Sequence, residues 1–209
     1  MIKTDNLTFQ YKGSSSIFRF PNIVLEKNEN VLVLGKSGIG KTTFLHLLSG
    51  LLKPKKGNVF INNTNITSLR NNQLDVYRGL NIGLVFQKKH AIQSLNVIDN
   101  LKARLFLCKK TSNNQEIETL LEQLDLLEFK KHKINNLSEG QLQRLGIALA
   151  VIHKPKVIFA DEPTSSLDDE NCKRVIQLLL SQAAKTNANL IVITHDHRIK
   201  SFFQKTISL

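Results

Sequence analysis

The sequence predicts an α/β fold: a mostly parallel sheet with crossover helices, an antiparallel β-subdomain and an inserted helical subdomain. Three observations predict it. Four apolar runs, in Val31–Leu34, NIGLVFQ (81–87), KVIFADEP (156–163) and NLIVITHD (189–196), are continuous, as in strands buried on both faces. Segments with helical apolar spacing lie between them, so strands alternate with helices and need crossover connections. Residues 1–30 instead alternate apolar with polar (Ile2, Leu7, Phe9; Ile17, Phe18, Phe20; Ile23, Val24, Leu25), which suits short antiparallel strands.

The elements follow in order. After the strand at Val31–Leu34, residues Phe44, Leu45, Leu47, Leu48 and Leu51 form a helical stripe. KKGNVFINN (55–63) reads as an edge-type strand. Between 88 and 136 polar loops surround one clear helix, with Ile117, Leu120, Leu121, Leu124 and Leu127 on one face. LSEGQ (137–141) opens the helix carrying Leu142, Leu145, Leu149 and Ile152. Ser138 there is an N-cap and Gln141 its N3 partner, a capping box. Residues 168–185 predict another helix. The organisation expected is one domain, with a core of 1–87 and 151–209 and a helical subdomain over about 88–150.

Composition sets bounds. The 209 residues suffice for a real core, and no apolar run approaches the ~20 residues that span a bilayer. The opening MIKTDNLTFQYKG lacks the apolar centre of a signal peptide, so a cytosolic protein is expected. Cys108 and Cys172 have no metal-like spacing and are expected as reduced packing thiols. The net charge of +12 would suit nucleic acid or an anionic membrane. No dense basic stripe interleaved with aromatics accompanies it. Richness in Lys, Asn and Ile fits an AT-rich coding bias better. The six His residues show no zinc-ligand spacing.

Residues Gly35–Thr42 fit G-x-x-x-x-G-K-[ST], between a strand and a helix, the context such a phosphate loop requires. Glycines let successive N–H groups curl around an anion, and the helix N-terminus adds partial positive charge. The expected ligand contacts come from Gly35, Lys36, Ser37, Gly38, Ile39, Gly40, Lys41, Thr42 and Thr43. Lys41 can reach the β- and γ-phosphates, and the Thr42 hydroxyl can bind Mg²⁺.

Three further strand ends carry polar groups. Asp161 ends a buried strand beside the loop of a neighbouring strand and can hold Mg²⁺, while Glu162 can polarise an attacking water. Gln87 can touch both metal and water. His195 can bind the γ-phosphate and hold Glu162. The capped start of the helix at Ser138 reads either as no more than a well-capped helix or as a second anion site that the first loop leaves unexplained.

In this order the motifs resemble the ATP-binding-cassette ATPases over nearly the whole chain. The resemblance implies that Gly35–Thr42 is Walker A, Gln87 the Q-loop, Leu137–Gln141 the signature, and Val157–Glu162 Walker B with its catalytic Glu. It makes SSLD (165–168) the D-loop, His195 the H-loop, and Tyr11 the aromatic that stacks on adenine. It implies a head-to-tail dimer, with ATP between Walker A of one subunit and Ser138, Gly140 and Gln141 of the other. FADEPT and GLVFQ look most like the lipoprotein-release, macrolide-export and cell-division branch. Three departures stand out. Glu139 replaces the first Gly of the usual LSGGQ. Asn28 stands where Gly usually precedes the first core strand, and Asn tolerates positive φ. Leu149 stands where relatives usually carry Arg.

The expected function is the ATP-binding and hydrolysing subunit, with ATP and Mg²⁺, that powers a separate integral membrane permease from the inner face of the membrane. Residues 88–105 would receive the partner's cytoplasmic helix. A soluble cassette ATPase acting on nucleic acid or ribosomes is the alternative that the charge raises. It usually needs two cassettes, long coiled coils or zinc modules, and none is present. A non-transport mechanical ATPase at the membrane remains a variant of the first reading. A sensor without turnover is disfavoured by the intact Asp161, Glu162 and His195.

Overall fold

The computed structural model describes all residues except Lys88, Lys89 and Ser166. The chain opens with β1 (Ile2–Phe9), β2 (Phe18–Arg19) and β3 (Val24–Leu25), then enters β4 (Asn30–Leu34) and α1 (Lys41–Leu48). It continues through β5 (Lys56–Ile61), β6 (Thr64–Asn65), α2 (Asn71–Asn81) and β7 (Ile82–Val85). Next come α3 (Val97–Leu107), α4 (Asn114–Gln123) and α5 (Glu139–Val151), then β8 (Val157–Asp161), α6 (Asp169–Thr186), β9 (Asn189–Thr194) and β10 (Lys205–Ser208).

Two sheets result. One is antiparallel, in the order β2-β1-β5-β6 with β3 also on β1; the other is parallel, in the order β10-β4-β9-β8-β7. The alternation of side chains explains why the central runs are wholly apolar. On β4, Val31 and Val33 join α1 and the antiparallel sheet in one core, whereas Leu32 and Leu34 join α3, α4, α5 and α6 in the other. Strands β8 and β9 divide likewise: Phe159, Ile191 and Ile193 face one core, Ile158, Leu190 and Val192 the other. A strand between two layers has no solvent face, so each residue gains about 1.5–3 kcal/mol of burial whichever way it points.

Several expectations need correction. KKGNVFINN is no edge: β5 lies between β1 and β6. The strand at 81–87 stops at Val85, so Gln87 lies two residues beyond β7. The strand of Asp161 does not adjoin the strand of the phosphate loop, because β9 lies between β8 and β4. Helices α2 and α3 and strands β6 and β10 had no separate signal. Helix α2 buries none of its residues fully: Leu74 and Tyr77 pack against a core, while Val76 and Leu80 are exposed. Asn28 does take the left-handed turn, at φ 63°. Both cysteines are free and buried. No helix among the described residues is long and apolar enough to cross a membrane.

Candidate active site

The loop between β4 and α1 is shaped by glycine where no other residue fits. Gly40 caps α1 with φ 106°, and a Cβ on it would lie 2.8 Å from the Phe18 ring. Lys41, the first residue of α1, is only 7% exposed. Its Nζ donates to the carbonyls of Gly35 at 2.9 Å and Lys36 at 3.1 Å and lies 3.3 Å from Glu162 Oε1.

Glu162 follows β8 immediately. Its backbone takes φ 48°, unusual for a residue with a Cβ, and its N–H donates to the Ile193 carbonyl at 2.8 Å. The carboxylate is held from three directions. Thr194 Oγ1 donates at 2.7 Å to Oε2, His195 Nδ1 lies 2.9 Å from Oε1, and Lys41 completes the set. Burial pushes this carboxyl up, but the hydrogen bonds from His195 and Thr194 and the charges of His195 and Lys41 outweigh it. The group therefore stays below the usual carboxylate range, ionised and able to accept a proton.

Asp161 behaves in the opposite way. Burial raises its pKa, helped by the charge of Glu162 and opposed by a hydrogen bond from Thr42. Its Oδ1 is buried without a hydrogen-bond partner. A buried carboxylate oxygen with open lone pairs beside a hydroxyl is a hard-oxygen set, and it suits Mg²⁺. The residues thus fit the ion expected of them.

Strand ends converge because β7, β8 and β9 run parallel to β4. One cavity of about 380 Å³ is lined by Ser37, Gly38, Gly40, Lys41, Thr42 and Thr43, by Gln87, Glu162 and His195, and by Tyr11 and Phe18. Tyr11 lies outside any strand, in the loop after β1, with its hydroxyl 2.8 Å from Thr43 Oγ1. Sequence reasoning assigned no site role to Phe18 or Thr194. No spacing rule marks either one, since β2 and the β9 end reach the loop only through the fold.

The signature residues do not line this cavity. Ser138 caps α5: its Oγ accepts from Gln141 N–H at 3.3 Å, and Gln141 Oε1 accepts from Ser138 N–H at 2.7 Å. Ser138 and Glu139 are exposed, and Gly140 is half-buried. Ser165 Oγ donates to the Glu162 carbonyl at 2.9 Å and Asp168 caps α6, while Ser166 of the same expected loop lies outside the described residues.

A family model described as "ABC transporter" matches residues 20–165. The chain belongs to the ABC transporter family. The Lipoprotein-releasing system ATP-binding protein LolD of Buchnera aphidicola is 33% identical over 94% of this chain and 88% of its own length. An ABC transporter ATP-binding protein of Methanocaldococcus jannaschii, MJ0796, is 35% identical over all of this chain and 93% of its own. The solved dimeric structure of the MJ0796 cassette superposes with a TM-score of 0.89 at 32% identity, covering 100% of this chain and 94% of that one. A second MJ0796 structure, of a dimeric post-hydrolysis state bound to ADP and Pi, matches with the same TM-score of 0.89, identity of 32% and coverage of 100% and 94%. The chain is thus an ABC ATPase, an ATP-binding and ATP-hydrolysing transporter subunit, similar both to lipoprotein-releasing ATP-binding proteins and to MJ0796.

Proposed function

We propose that two nucleotide-binding surfaces close face to face around MgATP, and that hydrolysis reopens them to move an integral membrane partner. The observation that carries this is the separation of the two halves of the site. The loop and three strand ends share one cavity, while the capped start of α5 lies outside it with its anion-binding end exposed. A second copy, or a homologue, would bring Ser138, Gly140 and Gln141 onto the triphosphate.

In this reading Lys41 exchanges Glu162 and two carbonyls for phosphate oxygens. The N–H groups of Lys36, Ser37 and Gly38 and those from Gly40 to Thr43 cradle the phosphates, while Gly35 N–H donates to the Thr194 carbonyl at 3.3 Å and Ile39 N–H to the Lys36 carbonyl at 3.4 Å. Thr42, Asp161 and Gln87 would hold Mg²⁺, which would supply positive charge to the phosphates. Glu162, released by Lys41, takes the proton of the attacking water. His195 keeps hold of the Glu162 carboxylate and reaches the γ-phosphate. Tyr11 stacks on adenine.

The core of 1–87 and 151–209 and the helical part of about 88–150 would be the parts that move relative to each other. Between them a groove of about 280 Å³ is lined by Leu84, Phe86, Ile92, Arg104, Leu107 and Leu149, among others. This groove would receive a cytoplasmic helix of the membrane partner, putting the chain on the inner face of the membrane. Lys88 and Lys89, within the expected 88–105 contact segment, lie outside the described residues. The partner sets the cargo.

Glu162→Gln tests the dimer. It keeps the shape of the side chain but removes the base, which costs roughly 10²–10⁴ in rate. With saturating ATP this variant should accumulate as a two-fold dimer in size-exclusion chromatography with light scattering, and adding Ser138→Arg should return it to monomer. A Glu162→Gln protein that stays monomeric sinks the sandwich; one that hydrolyses at the wild-type rate removes Glu162 as the base.

A further inference from the structure

We propose that Thr43 is a positioning residue for the base: its hydroxyl fixes the Tyr11 ring and ties the base end of the site to the phosphate end. This rests on the reading of Tyr11 as the adenine platform. Strand β1 stops at Phe9 and β2 begins at Phe18, so Tyr11 stands on the connecting loop. A tyrosine there would sample several rotamers, and ordering it would oppose nucleotide binding.

Three contacts remove that freedom. Phe9 meets the Tyr11 ring edge-on at 4.8 Å and 89°, and Phe18 at 6.1 Å and 87°. The third contact is the 2.8 Å bond between Tyr11 Oη and Thr43 Oγ1. Phe18 stacks on Phe20 at 6.2 Å, and Phe20 on Phe44 at 4.9 Å. Phe44 and Thr43 are successive residues of α1. The series of rings therefore starts on the helix that also holds the far tip of Tyr11. Thr43 itself is 5% exposed, while Tyr11 keeps 44% of its surface open for a base. The first turn of α1 carries Lys41 and Thr42, so the base platform and the phosphate contacts share one rigid body.

The test is calorimetric titration with Mg²⁺, using ATP and, as the baseless probe, inorganic tripolyphosphate. Tyr11→Phe and Thr43→Val should each weaken ATP about fivefold, the worth of one neutral hydrogen bond. The double variant should lose no more than either single one, because both remove the same bond. Thr43→Ser should bind ATP like the wild type. Tripolyphosphate affinity should be equal in the wild type and Tyr11→Phe. If Tyr11→Ala weakens ATP but Tyr11→Phe does not, the platform stands and the positioning role is overturned. If Tyr11→Ala binds as the wild type does, the platform reading itself falls. Equal losses of ATP and tripolyphosphate in Thr43→Val would put Thr43 on the phosphates alone and overturn the proposal. Should Thr43→Val fail to fold, Tyr11→Phe decides by itself.

Discussion

Asp161 and Glu162 are neighbours whose surroundings push their acidities apart. A non-glycine residue in the left-handed region costs on the order of 1–3 kcal/mol, and Glu162 keeps it because Ile193, Thr194, His195 and Lys41 hold it there. Asp161 has a raised pKa, so its ionised form opposes folding at neutral pH. Asp161→Asn should therefore raise the melting temperature of the nucleotide-free protein at pH 7, by roughly 2–4 °C for each kcal/mol gained. The gain should shrink as pH falls through the raised pKa, because the acid then becomes neutral as well. The same variant should lose Mg²⁺-dependent ATP binding. An unchanged or lower melting temperature at pH 7 would mean that the Asp161 charge is already compensated. Lys41→Ala should abolish tight ATP binding, since it removes the ammonium that donates to the loop carbonyls of Gly35 and Lys36 and would face the β- and γ-phosphates. Unchanged affinity in a fluorescent-nucleotide titration would mean that the triphosphate lies elsewhere.

At the scale of elements, α5 is anchored at both ends. Ser138 satisfies its first turn, so Ser138→Ala should cost roughly 0.5–2 kcal/mol of stability apart from any effect on the dimer. Beyond the other end lies His153, fully buried, with Nε2 3.1 Å from the Ile82 carbonyl at the start of β7. Arg104 of α3 donates to the same carbonyl at 3.3 Å, and Lys110 caps the His153 carbonyl. Burial first, then the charge of Arg104, drives His153 down to about 3. The unfolded chain takes up a proton near pH 6.5 and the folded one does not. The stability supplied by neutral His153 is thus complete above about pH 6.5 and declines as pH falls toward 3. Urea midpoints measured between pH 7 and 4 should fall more steeply for the wild type than for His153→Gln. Parallel curves would show that His153 is not the group responsible.

On the whole molecule, the most exposed of the large apolar side chains among the described residues are Phe106 and Leu107, 80% and 70% exposed. They stand at the end of α3, which is tied to α2 by a hydrogen bond from Cys108 Sγ to the Gly79 carbonyl at 3.0 Å. Val76 and Leu80 of α2 are exposed as well, and Leu107 also lines the groove assigned to the membrane partner. Phe106→Asp with Leu107→Asp should leave the affinity of the isolated chain for ATP intact, because neither residue lines the nucleotide cavity. It should release the chain from the membrane fraction of its own cells. Retention at the wild-type level would mean that the partner docks elsewhere.

Local chemistry was enough to determine the phosphate loop, the acidic end of β8, the cap of α5 and the tolerance of Asn28 for its turn. Each depends on residues a few positions apart and on backbone geometry that glycine, asparagine or a capping side chain imposes by itself. The doubly buried strands were legible too, since burial on both faces leaves no room for polar alternation. Helix α2 was not, because its few apolar residues are divided between packed Leu74 and Tyr77 and exposed Val76 and Leu80. Strand β10 was not, because a short strand of KTIS becomes a strand only by pairing with β4. The insertion of β9 between β4 and β8 is likewise a matter of long-range pairing, with no local signal. Only the tertiary structure put Phe18 and Thr194 against the site, joined Tyr11 to Thr43, and left Ser138 outside the cavity. Those relations join residues tens of positions apart, and the packing of two cores on one sheet sets them.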